Sequence, residues 1–297
     1  FDGASEVADA IRIDDTVTGA PVVISGCTVR NYTNRFVYVS LSGKIESLTI
    51  DDCIFIGADN STTNKAIYAS SAHTQVETLS VTNSTFLNFN TGSNYFFRIN
   101  CGEELVLMPV VLIDHCTFYN CYDRRGVYLY NAGRSTIKNC ISAFSERRDD
   151  TKSFTAYGDE SIVKNVISYN VDLYGSAPKE NIISKNPLFV DAENGNFQLY
   201  KDSPAVGAGD DGSDLGDPRW GVSTENAPVG ELPYECFKKP YSMSPTTHSV
   251  RILWQTLDSN PSGTVYYGKT PDLGQKVTAE TGWNVDGEGF GGRKSSL

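Results

Sequence analysis

Methionine and histidine are scarce in this sequence, with 2 and 3 among 297 residues, and long runs of helix-forming residues are absent. Positive charge is also in deficit. Lys plus Arg number 25 against 36 Asp plus Glu, a net charge of −11, which argues against a general nucleic-acid binder with its basic footprint. No apolar stretch is long enough to form a membrane-spanning helix. None of the 7 cysteines forms a C-x-x-C pair, so a zinc-ribbon or thioredoxin-like reading is weak. There is no signal peptide, and the chain starts at Phe1, so it reads as a processed or excised piece. What is present is apolar and turn-prone. Hydrophobic residues make up 39% and charged residues 21%, enough to build a packed core, and 26 glycines point to many turns. Tyrosine and phenylalanine are plentiful, at 16 and 14.

The chain repeats itself. Val23-Ile24-Ser25-Gly26-Cys27-Thr28-Val29 returns as Thr49-Ile50-Asp51-Asp52-Cys53-Ile54-Phe55, as Ser80-Val81-Thr82-Asn83-Ser84-Thr85-Phe86 and as Leu112-Ile113-Asp114-His115-Cys116-Thr117-Phe118. Weaker copies centre on Cys140 and Val166. The shared position falls at 27, 53, 84, 116, 140 and 166, with steps of 26, 31, 32, 24 and 26. Each unit is a short β-rich run, two turn-prone residues and another short run. Asp, Asn and Gly suit the left-handed corner such a unit needs. No helical period lies between units, so stacked strands joined by corners are expected rather than βαβ units. Four cysteines (27, 53, 116 and 140) share the repeat position and read as buried packing, beside an inner Ile/Val ladder.

A third run recurs with stricter spacing. Thr33-Asn34-Arg35-Phe36-Val37-Tyr38 becomes Thr63-Asn64-Lys65-Ala66-Ile67-Tyr68, then Ser93-Asn94-Tyr95-Phe96-Phe97-Arg98, then Asp123-Arg124-Arg125-Gly126-Val127-Tyr128, always at the same interval. A fifth copy, Thr151-Lys152-Ser153-Phe154-Thr155, follows after a slightly shorter step. Strand alternation puts Val37, Ile67, Phe97, Val127 and Phe154 inward, and Tyr38, Tyr68, Arg98, Tyr128 and Thr155 outward.

With these ladders the chain resembles the right-handed parallel β-helix proteins of the pectate-lyase-like type. The resemblance implies an all-β, single-stranded parallel β-helix solenoid over residues 1–222. Asn186-Pro187-Leu188-Phe189-Val190-Asp191 and Ser203-Pro204-Ala205-Val206-Gly207-Ala208-Gly209 resemble a C-terminal stretch of secreted bacterial β-helix proteins. Leu215-Gly216-Asp217-Pro218-Arg219-Trp220-Gly221 is similar to the terminal motif of gut-bacterial surface domains of this kind. A secreted or cell-surface location is implied with it. A Pro/Gly-rich linker follows over 223–239. Ser249–Thr256 and Gly263–Gly268 resemble the first strands of a fibronectin-type-III-like sandwich, in particular the N-terminal module of purple acid phosphatase-like proteins. Residues 240–297 are too few for the roughly 100 of a full sandwich and read as a partial one.

The third-strand face carries the functional candidates. Tyr38, Tyr68 and Tyr128, with Asn100 and Tyr130 two residues beyond Arg98 and Tyr128, form a polar aromatic surface. A column of Arg35, Lys65, Tyr95, Arg125 and Lys152 runs beside it. At the ~4.8 Å pitch of stacked strands, rings and cations in this pattern suit an extended polysaccharide. In pectate-lyase-like enzymes, calcium held by acidic side chains neutralises a uronate and an Arg or Lys removes the C5 proton. That resemblance implies Arg98 as the catalytic candidate, followed by Arg125 and Lys65, with calcium as cofactor. Arginine chemistry by itself favours charge stabilisation over proton abstraction. Tyr68, Ser70, Asn100, Tyr128 and Tyr130 around Arg98 offer no calcium cage. Glycosidase chemistry needs paired carboxylates, whereas Asp51, Asp52 and Asp114 sit in the corner register and Asp123 stands singly. His115 also reads as a corner residue. Asp210, Asp211, Asp214 and Asp217 form an acidic loop whose ligand types suit weak calcium binding but whose spacing is not that of an EF-hand. Three functions remain open: polysaccharide binding without catalysis, calcium-dependent lyase cleavage of a uronate polymer, and a structural or adhesive surface role.

Overall fold

A computed structural model describes residues 2–3, 8–14, 19–40, 44–57, 65–69, 75–89, 96–100, 110–130, 132, 134–227, 236–243, 251–256, 264–267, 275–278 and 293–296. The protein is all-β with long parallel sheets. It divides into two compact units, Phe1–Ala227 and Pro228–Leu297.

In the first unit three strands recur in order. They are β1 (Asp9–Ile13), β2 (Val22–Ser25), β3 (Thr28–Arg30), β4 (Arg35–Val39), β5 (Lys44–Asp51), β6 (Ile54–Ile56), β7 (Lys65–Ala69), β8 (Gln75–Thr82), β9 (Thr85–Leu87), β10 (Phe97–Asn100), β11 (Val110–Asp114), β12 (Thr117–Tyr119) and β13 (Val127–Tyr130). Next come β14 (Arg134–Ala143), β15 (Lys152–Ala156), β16 (Ile162–Tyr169), β17 (Asp172–Tyr174) and β18 (Lys179–Ile183). Each pairs with its counterpart in the neighbouring repeat, always in parallel. One sheet of seven runs β1-β4-β7-β10-β13-β15-β17, and the first and second strands of every repeat make a second, eleven-stranded sheet.

The corners explain the two turn-prone residues. Gly26, Asp52, Asn83, His115, Asn139, Asn165 and Asn181 all hold positive φ, between 49° and 65°. These residue types enter the left-handed region at least cost. A second column, Asn31, Asn88, Asn120 and Asn170, repeats the device after the second strand.

Inside, like stacks on like. Ile24, Ile50, Val81, Ile113, Ile137 and Val163 are in register and buried. Val37, Ile67, Phe97, Val127 and Phe154 are fully buried too. Phe55, Phe86 and Phe118 form a ring stack with centroids 4.9 Å apart at both steps. Cys53, Cys116 and Cys140 are buried free thiols, each reaching the carbonyl of Ile24, Val81 or Ile113 in the preceding repeat at 3.6, 3.5 and 3.8 Å. Burial pushes the Cys53 thiol up to about 11, against weaker opposing contacts.

After β18 the chain folds back as a strap, residues 186–222. It contains the antiparallel pair β19 (Phe189–Asp191) and β20 (Asn196–Leu199). The strap covers an outward face of the larger sheet that is itself apolar, with Leu87, Tyr119, Ile141, Ala143 and Ile167 packed against Phe189, Phe197, Leu199, Ala205 and Leu215.

The second unit holds β21 (Cys236–Met243), β22 (Arg251–Thr256), β23 (Thr264–Tyr267), β24 (Gln275–Thr278) and β25 (Arg293–Ser296). β21-β22-β25 form one antiparallel sheet and β23-β24 another.

Candidate functional site

The seven-stranded sheet aligns its predicted outward residues. Tyr38 pairs with Tyr68, Tyr68 with Arg98, and Arg98 with Tyr128. Two members of the column escaped the spacing rule. Arg12 pairs with Tyr38 at the start, and Tyr174 follows Thr155 at the end. Both steps are shorter than the regular interval that separates Tyr38 from Tyr68. The pairing of Asn100 with Tyr130 continues the ladder. The side chains of Asn100 and Tyr130, and all of Tyr95, lie outside the described residues.

Cations sit over the rings. The Arg35 guanidinium is 3.5 Å and that of Arg12 5.3 Å from the Tyr38 ring centre. The Lys65 ammonium and the Arg98 guanidinium approach Tyr68 at 5.5 and 5.8 Å, and Arg125 approaches Tyr128 at 4.7 Å. The Tyr38 and Tyr68 ring centres are 6.1 Å apart. Burial lowers the Lys65 pKa, with Arg35 and Arg98 adding repulsion against the pull of Tyr68 and Asp123.

The structure corrects the expected surface in two respects. Tyr128 and Thr155, expected outward and open, are covered, at 6% and 0% exposure. The turn before β13 lies over them. The Thr155 hydroxyl donates to the Arg125 carbonyl at 2.8 Å. Gly126, at φ +59°, sits so close to the Lys152 and Ser153 carbonyls that a Cβ would collide with them. The basic column is also less positive than the sequence suggests. Arg35 makes a two-pronged pair with Asp9 at 2.7 and 2.8 Å, and Lys152 binds Asp172 at 3.3 Å. Asp123 is buried. Among the described residues no group of three or more His, Cys, Asp or Glu side chains is placed to hold a metal ion.

The acidic loop is consumed by the strap's own anchoring. Asp210 binds Lys164 at 2.9 Å, Lys138 at 3.2 Å and the Asn139 amide at 2.9 Å, and these contacts, led by Asn139, hold its carboxyl well below the usual range. Asp217 is buried. It accepts from the Thr85 hydroxyl at 2.7 Å and from Arg219 Nε at 2.7 Å. Burial raises its pKa, against the pull of these donors. Trp220 Nε1 donates to the same Thr85 hydroxyl at 2.8 Å. Arg219 reaches on to Asp52 at 2.9 Å and to the Asn83 carbonyl at 3.0 Å. Between strap and corners lies a cleft of about 370 Å³, lined by His115, Ser213 and Asp214 on its polar side and by Phe189, Phe197 and Trp220 on its apolar side. Sequence reasoning did not find this cleft, since its walls come from positions far apart in the chain, such as His115 and Ser213.

The class the geometry defines is an all-β protein with stacked parallel sheets. Residues 2–91 match the family model for a domain of unknown function, DUF4957, and residues 111–220 match that for a second domain of unknown function, DUF5123. No curated protein matches the chain.

Proposed function

We propose that the first unit winds as a right-handed parallel β-helix of the pectate-lyase-like type, with a partial fibronectin-type-III-like unit after it. We further propose that it serves outside the cell as a polysaccharide-binding protein. The observation that carries the binding reading is the in-register pair Tyr38 and Tyr68, half-buried and flanked by Arg12, Arg35, Lys65 and Arg98. Rings stacked at the pitch of the sheet offer successive sugar units a flat surface, and cations at their edges attract carboxylates. The platform centres on the early repeats, because Tyr128 is covered. Affinity gel electrophoresis against pectate, alginate and a neutral glucan tests this. Tyr38→Ala and Tyr68→Ala should each weaken retardation about five- to tenfold, the equivalent of ~1 kcal/mol. Equal migration of the protein with and without every glycan overturns the binding reading. Following ultraviolet absorbance of unsaturated product in the same mixtures with calcium tests β-elimination, and loss of product in Arg98→Ala or Lys65→Ala would assign its base.

A further inference from the structure

We propose that Asp114, His115 and Ser213 form a nucleophilic triad at the cleft beneath the strap, hydrolysing esters of short acyl groups. Asp114 closes β11, and its Oδ1 lies 2.8 Å from His115 Nδ1. His115 Nε2 lies 2.7 Å from Ser213 Oγ, 98 residues further along the chain. Both spacings fall in the range required between nucleophile, base and orienting carboxylate. A carboxylate at Nδ1 selects the tautomer that turns the Nε2 lone pair to the serine hydroxyl. Asp114 is itself fixed, accepting from the Asn139 amide at 3.0 Å and pairing with Lys138 at 3.4 Å. The strap has other anchors, at Asp210 and Asp217, so the histidine–serine contact is not needed to hold it down.

The cleft supplies the rest of the site. His115 and Ser213 border it, and Phe189, Phe197 and Trp220 form an apolar recess within it. Such a recess suits an acetyl or butyryl chain. In the reaction, Ser213 Oγ bonds to the ester carbonyl carbon while its proton passes to His115 Nε2. The tetrahedral adduct collapses, the C–O bond to the alcohol breaks, and the leaving oxygen takes that proton. Water repeats the sequence on the acyl-serine, so ester plus water yields acid plus alcohol. The Ser213 N–H is held by Asp211 at 2.9 Å and does not serve as an oxyanion donor, so turnover is expected to be slow. The hydrogen bond to Asp114 raises the His115 pKa, aided by Asp211 and opposed by burial and Lys138, so the rate should climb with pH through a value above the ordinary histidine range.

The test uses the full chain and needs no variant to begin. Treatment with diisopropyl fluorophosphate, followed by peptide mass mapping, should place a single adduct on Ser213. Hydrolysis of p-nitrophenyl acetate should disappear in Ser213→Ala. Both labelling and hydrolysis should fall at least about 100-fold in His115→Asn. Asn holds this same left-handed corner at 83, 139 and 165, so the fold tolerates that substitution. An unlabelled Ser213 in the native protein, labelling indifferent to His115→Asn, or hydrolysis retained in Ser213→Ala would each overturn the triad and leave these residues as fastenings of the strap.

Discussion

Asp217 is the strap's most exacting anchor, and replacing it with alanine gives the sharpest test of how the outer face is closed. Its side chain is 0% exposed and collects the Thr85 hydroxyl, the Arg219 N–H at 3.1 Å and the Arg219 side chain at 2.7 Å. Removing one partner of a buried, hydrogen-bonded charge pair costs about 3–5 kcal/mol. Two observations move the expectation to the low end. Arg219 keeps Asp52 and the Asn83 carbonyl as partners. Burial already raises the Asp217 pKa, so part of its attraction to Arg219 is offset by desolvation. A loss of about 3 kcal/mol follows for Asp217→Ala. Asp217→Asn keeps one acceptor and should lose about 1.5 kcal/mol, the worth of a hydrogen bond to a charged group. The loss should be local. Hydrogen exchange should accelerate at Phe197, Leu199 and Trp220, while Ile50, Val81 and Ile113 inside the sheets stay protected. Strap exchange unchanged within a factor of about 5, equivalent to ~1 kcal/mol, would refute the idea that this carboxylate closes the strap.

Three further outcomes follow from the same geometry. Phe86 stacks at 4.9 Å on both Phe55 and Phe118, so Phe86→Ala should lose ~4 kcal/mol in urea unfolding, and Phe86→Leu no more than about 1.5 kcal/mol. Gly126→Ala meets both a positive φ and two carbonyl oxygens, so it should lower stability by at least ~2 kcal/mol and expose Tyr128, measurable by urea unfolding and tyrosine fluorescence. The strap should also be pH-sensitive on the acid side. The Asp210 pKa is depressed by Asn139, Lys164 and Lys138, so its contribution is full above about pH 4 and is lost as pH falls through its folded value. Exchange rates in the strap should therefore rise below about pH 4, and Asp210→Asn should abolish that rise.

The repeat was legible because identical steps leave identical signatures. Three equal steps fix the register Tyr38–Tyr68–Arg98–Tyr128, and the pairing reproduces it. Arg12 and Tyr174 were missed because the first and last steps are shorter and a bulge interrupts the pairing between β15 and β17. Exposure was less legible than register. Alternation places Tyr128 outward, but it cannot show that the turn at Arg125–Gly126 will fold over the ring. The covered outer face did leave a signal. Ile54, Ile141 and Ile167 directly follow the inward Cys/Val position, so adjacent apolar residues imply burial on both faces of the sheet.

That doubly apolar face gives the strap a physical reason to exist, and the strap in turn gives the corners a second role. Along the first corner column the backbone requires only a residue that tolerates positive φ, which Asn and Gly do best. Where the strap crosses, the same column also supplies polar groups to it. Asn139 and Asn165 reach Asp210 and the Ala208 carbonyl, at 2.9 and 3.0 Å. His115 is the one member of the column with an imidazole, and it is the one whose ring bridges a carboxylate and a hydroxyl beside the cleft. An Asn there would satisfy the turn, as Asn83 and Asn139 do. The imidazole adds what neither requirement explains, a titratable nitrogen 2.7 Å from a serine at the mouth of an apolar recess. If the corner role were the whole of it, His115→Asn would change neither ester hydrolysis nor serine labelling, and stability would move by less than about 1 kcal/mol. The triad requires the same small change in stability together with the loss of both activities.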